Sequence, residues 1–87
     1  MIQELVGEQV VIDFGSTFVC LGTLLRCDDH FLEVKNADLH DLRDTQTSRE
    51  NYVAASKATG IKRNRKRVLL VRRDIVAVAR LDDVAYE

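Results

Sequence analysis

The sequence predicts a mainly β domain, with a short N-terminal helix ahead of five antiparallel strands. Three observations carry this. Apolar residues recur in short runs of strand period, turn-forming residues separate those runs, and 87 residues fit one domain. Five strands in so short a chain must curl into a small barrel or pack as a sandwich.

In "IQELV", Ile2, Leu5 and Val6 stand at helical spacing before Gly7, which predicts one or two helical turns that must dock on something. In "VVIDF", Val10, Ile12 and Phe14 share one side of a strand, and Gly15-Ser16-Thr17 form a turn. "FVCLGTLLRC", residues 18–27, reads as a longer strand with Gly22 inside it, where glycine permits a bend or a close approach. After the Asp28-Asp29-His30 break, "FLEVKNADL" alternates again with Leu32 and Val34 on one face. The phase slips near Asn36, as at a bulge.

Residues 40–66 are polar and lack a strand period. Thr47 with Glu50 matches a capping box and Gly60 offers a stop, which would give a helix over 48–59. A mobile excursion or an extended hairpin fits the same residues. The segment ends in a basic run, Lys62, Arg63, Arg65, Lys66 and Arg67, which is read as a loop open to nucleic-acid contact.

"VLLVRRDIVAVARL" then sets Val68-Leu69-Leu70-Val71 and Ile75-Val76-Ala77-Val78 on either side of Arg72-Arg73-Asp74. Two β-rich runs around three polar residues predict a tight hairpin. Both runs are apolar on both faces, so something beyond the domain's own core is expected to cover them.

The net charge of -1 and pI of about 6.1 exclude a global positive field, so nucleic-acid binding would need a local patch. No nucleophile stands with a His and an acid at suggestive spacing, and there is no glycine-rich phosphate loop, so no enzyme is expected. Cys20 and Cys27, an odd seven residues apart, are expected as free thiols; no metal or other cofactor is expected. Without a signal peptide or a long apolar run, the expected setting is cytoplasmic, with no membrane partner.

Two stretches together resemble the Sm-like (LSm) family. "LVGEQVVIDFGSTFVCLGTLLRCDDHF" is similar to the first Sm motif, through Gly7, Val10, Ile12, Phe14, Gly15, Gly22, Leu24 and a following Asp. "VLLVRRDIVAVARL" is similar to the second, with Val71, Arg72 and Asp74 in place and Arg73 where the family usually has Gly. The resemblance implies an Sm-like fold: a short N-terminal helix and a five-stranded, strongly bent antiparallel sheet forming a small open barrel. It spans residues 1–87 as a single domain, with a variable polar loop at about 40–66.

The resemblance also implies a ring of like subunits joined through the fourth and fifth strands. Val68, Leu69, Leu70, Val71, Ile75, Val76 and Val78 are then the expected interface. Its central hole would bind single-stranded RNA, often U-rich, through His30, Phe31, Glu33, Arg72, Arg73 and Asp74. Counting from Gly22 puts Asp28 at the family's Asp, His30 at the stacking position and Leu32 at the position of an Asn; the register that keeps Leu32 and Val34 in the core, which is preferred, puts Asp29, Phe31 and Glu33 there instead. Arg strongly disfavours positive φ, so Arg73 predicts a different turn. The implied role is an RNA chaperone or scaffold; the competing class is an adaptor ring that binds protein without RNA.

Overall fold

The computed structural model describes residues 1–85. A 3-10 turn over Ile2–Leu5 leads into strands β1 (Gln9–Phe14), β2 (Phe18–Cys27) and β3 (Phe31–Asp41). Helix α1 (Arg49–Thr59) follows, then β4 (Arg65–Val71), a 3-10 turn over Arg72–Asp74, and β5 (Ile75–Arg80). All five strands make one antiparallel sheet in the order β4-β3-β2-β1-β5.

The expected tight hairpin at residues 68–78 is not formed. Strand β4 pairs with β3 and β5 with β1, so the two runs lie at opposite edges of the sheet. The three charged residues carry the chain from one edge to the other. A local apolar–polar–apolar pattern specifies a reversal but not the partner each strand takes, and here the partners are distant in sequence.

Alternation divides the sheet into two apolar faces. On one face Val10, Ile12, Cys20, Leu24, Leu32, Val34, Ala37 and Leu70 form the main core, with Ile2 and Leu5 of the first turn packed against it. The slip in phase is a bulge at Asn36, which adopts φ 49° and moves Ala37 onto the core face. Gly22 lies where β2 and β3 approach: a Cβ there would sit 2.5 Å from Val34 Cγ1 and 3.1 Å from Ala37 Cα.

On the other face, Val11, Val19 and Leu21 are covered by Val53 of α1 and by Leu81. Residues 40–66 are therefore ordered in large part. Ser48, one residue after the expected Thr47, caps the helix: its hydroxyl accepts from the Asn51 N–H at 3.1 Å. Gly60 ends it at φ 95°, donating to the Ser56 carbonyl. Arg65, Lys66 and Arg67 belong to β4 and not to a loop.

A polar cluster fixes α1 to the sheet. Asp38, only 8% exposed, accepts from the Tyr52 hydroxyl and from Asn64 Nδ2. Tyr52 stacks on His40, with ring centroids 4.4 Å apart. Arg49 reaches Asp13 at 3.2 Å, and Lys57 Nζ donates to the carbonyls of Asp82 and Val84.

Burial, with Asp38 adding to it, pushes the Cys20 thiol up to about 12. The Tyr52 hydroxyl is raised by burial and by its bond to Asp38. Both groups hold their protons more tightly folded than unfolded, so the stability this supplies is complete at low pH and is lost as pH rises through the alkaline range. Stability is expected to decline above pH 9.0, the ordinary thiol value. Denaturation midpoints between about pH 8 and about pH 10 should fall less steeply in Cys20→Ala, whatever its cavity costs at neutral pH. An equal slope in both proteins would contradict the assignment.

Candidate nucleic-acid interface

The turn from β2 to β3 is built by Asp28. Its carboxylate accepts from the backbone N–H groups of His30 and Phe31, at 2.8 and 2.7 Å, and those bonds hold its pKa below the ordinary Asp value. Asp28, and not Asp29, is thus the backbone-bonding acid of this turn. Its position two residues ahead of the His30 N–H is the one that closes such a turn.

The second charged turn docks on the first. The Arg72 N–H donates to the His30 carbonyl at 2.8 Å, and the Arg72 guanidinium to the Asp28 carbonyl at 2.5 Å. Arg72 is half-buried in this role and clamps two segments that lie 44 residues apart. The backbone stays at negative φ through Arg73, as a 3-10 turn allows, so arginine fits without strain. The Asp74 carbonyl accepts from the Gly15 N–H, which ties the same turn to the end of β1.

These contacts leave a cleft of about 390 Å³ lined by Asp29, His30, Phe31, Val71 and Arg73. An adjoining cleft of about 260 Å³ is lined by Arg26, Cys27, Asp28, Phe31, Glu33 and Leu69. Phe31, 42% exposed, lines both. An aromatic ring, an imidazole and a guanidinium around one opening can take the face and edges of a flat, polar ligand. Asp74 lines neither cleft; with Arg73 it borders a third, against Gly15 and Val76.

Glu33 lines the smaller cleft and Arg73 the larger one. Its carboxylate pairs with Arg26 at 2.6 Å and with Arg67 at 3.6 Å, so the negative charge is offset by two cations. Of the basic residues, Arg63 bonds to Asn36 Oδ1 and Arg65 to the Asn64 carbonyl, while Lys62, Lys66 and Arg67 are exposed.

Both edge strands carry uncovered apolar side chains: Leu69 (56%) and Val71 (40%) on β4, and Val76 (71%) on β5. Val68, Ile75 and Val78 pack on the main core, and Leu70 is buried within it. The Leu70 side chain is thus packed in the core of the single chain. Sequence reading put Asp29 at the family's Asp but not among the RNA-binding residues, and it missed the Arg26–Glu33–Arg67 group, whose members meet only across β2, β3 and β4. Among the described residues no group of three or more His, Cys, Asp or Glu is placed to hold a metal ion, and no helix is long and apolar enough to cross a membrane.

No family model matches the chain, and no curated protein matches it. Its structure is similar to that of the Pyrococcus abyssii Sm protein, solved in complex with a uridine heptamer. The TM-score is 0.62 over 91% of this chain and 90% of that one, at 12% sequence identity. This chain has the Sm fold. The N-terminal 3-10 turn and the five-stranded antiparallel sheet go with that fold. The second apolar face, Val11, Val19 and Leu21, is covered by Val53 of α1 and by Leu81.

Proposed function

We propose that the chain acts as one Sm-like domain, that copies of it close into a ring, and that the ring binds single-stranded RNA as a chaperone or scaffold. Strand β4 of each copy would pair with β5 of the next. Each of these strands has a partner on one side only, and an open edge invites pairing. Beside β5, a recess of about 360 Å³ lined by Met1, Ile2, Leu5, Val76 and Val78 offers room for an apolar side chain such as Leu69 of a neighbour. Closure through one repeated contact satisfies every edge.

The observation that carries the RNA reading is the docking of the two charged turns, which places Phe31, His30 and Arg73 around one cleft on an Sm frame. Splayed bases stack on such rings and lie against guanidinium planes. Arg72 acts as a positioning residue and Arg73 as the contacting cation. Lys62, Lys66 and Arg67 would meet the phosphates outside the cleft.

Fluorescence anisotropy with a uridine heptamer and an adenosine heptamer, at two salt concentrations, tests this. Binding is expected at low salt and should weaken as salt rises. Phe31→Ala should lower affinity about tenfold, the scale of one lost stacking contact. Unchanged affinity in Phe31→Ala would remove the cleft from the reading. The adaptor reading draws on Glu33, which the resemblance puts at the position of an Asn, and on the exposed apolar trio Phe31, Leu69 and Val71. A stable ring with no RNA affinity at low salt would favour it.

A further inference from the structure

Two charged side chains of the larger cleft have no partner among the described residues. Asp29 and Arg73 both line it, and neither makes a hydrogen bond or ion pair among the described residues. This contrasts with their neighbours. Asp28 is spent on backbone N–H groups, Arg72 on the Asp28 carbonyl, and Glu33 on two arginines. The cleft thus presents one free acceptor-only group and one free donor-only group beside the Phe31 ring.

That pairing discriminates among nucleobases. A carboxylate offers two acceptor oxygens side by side and is best met by two adjacent N–H donors. Guanine presents such a pair, N1–H and the N2 amino group, on its Watson–Crick edge. Uracil presents a single N–H between two carbonyl oxygens, so one carboxylate oxygen would face an acceptor. Cytosine and adenine each present one amino group beside a ring nitrogen acceptor. On its other edge guanine carries O6 and N7, the two acceptors that an arginine fork matches.

We propose that this cleft selects guanine, with Asp29 accepting from N1–H and the N2 amino group, Arg73 donating toward O6 and N7, and Phe31 against the base. The proposal rests on the RNA reading above and names the base that reading leaves open. Arg73 is central to it, since a glycine at that position would supply no donor.

The test uses the full chain and three labelled heptamers: all uridine, uridine with one central guanosine, and uridine with one central inosine. Inosine keeps N1–H, O6 and N7 but lacks the amino group. The guanosine heptamer is expected to bind about tenfold more tightly than the uridine heptamer, with inosine between them. Asp29→Asn, an exposed turn position, should bring the guanosine heptamer down to the uridine value. Equal affinity for all three heptamers would overturn guanine selection and leave RNA binding standing. A guanosine preference that survives Asp29→Asn would overturn the assignment of Asp29. Absence of binding to any heptamer at low salt would overturn the RNA reading and this proposal with it.

Discussion

Gly22→Val is expected to leave the domain largely unfolded at temperatures where the parent is fully folded, and Gly22→Ala to lower its melting temperature by roughly 10–20 °C. The cause is geometric. A Cβ at Gly22 would stand 2.5 Å from Val34 Cγ1, 3.0 Å from the Lys35 carbonyl oxygen and 3.1 Å from Ala37 Cα. Val34 is fully buried and close-packed, and two of the three obstacles are backbone atoms of β3, so no flexible side chain can swing aside. Relief requires separating β2 from β3 at the bulge, where the ladder is already interrupted between Leu21 and Thr23. Overpacking of this kind costs about 1–3 kcal/mol for one methyl and more for a branched side chain. Gly15→Ala is the control, because its nearest neighbour would be Val76 Cγ2 at an ordinary 3.7 Å. Thermal melts of the three variants decide the matter. Similar values for Gly22→Ala and Gly15→Ala would show that β3 can yield.

Leu69→Glu on β4, or Val76→Glu on β5, is expected to convert the proposed ring to single chains while leaving each chain folded. Both side chains are more than half exposed in the isolated subunit, so a carboxylate there costs the fold little. In the ring the same groups would be buried between strands, where a charge without a partner is strongly unfavourable. Light scattering coupled to size exclusion should show the mass dropping to that of one 9.9 kDa chain for either variant. The melting curve should still show one cooperative transition. Val6→Glu, exposed and outside both edge strands, should keep the parent's mass. A parent protein that is itself a lone folded chain at micromolar concentration would end the ring proposal directly.

Much of the sheet could be read from the residues because alternation is local. Leu32 and Val34 sit in the core as their parity requires, and the slip at Asn36 is a bulge at positive φ. Gly22 marks a close approach, as an interior strand glycine should. What stayed hidden depends on partners far apart in sequence. The reversal at Arg72–Asp74 looked like a hairpin because nothing within those residues says that β3 and β1 are the partners. Asp38 sits in a polar stretch that suggests exposure. It is buried because Tyr52 and Asn64 arrive from 14 and 26 residues away. The cap of α1 fell one residue late because Thr47 and Ser48 are both good N-cap residues, and only the fold decides between them. In the cleft, Phe31 and Arg73 were visible through the two motifs. The free carboxylate of Asp29 was not, since sequence alone cannot say which of two adjacent acids the turn consumes.

The pairing of β1 with β5 has a consequence for how the molecule is made. Strands β1, β2, β3 and β4 each meet a partner next in line, but β1's other rim waits for the last strand. During synthesis at about 5–20 residues per second, residues 15–74 take roughly 3–12 s to add. Until β5 is made, the edge of β1 at Val10, Val11 and Ile12 has no strand to pair with. The hazard of misassembly therefore belongs to the newborn polypeptide, and slowing translation between residues 15 and 74 should increase the insoluble fraction without altering the finished protein.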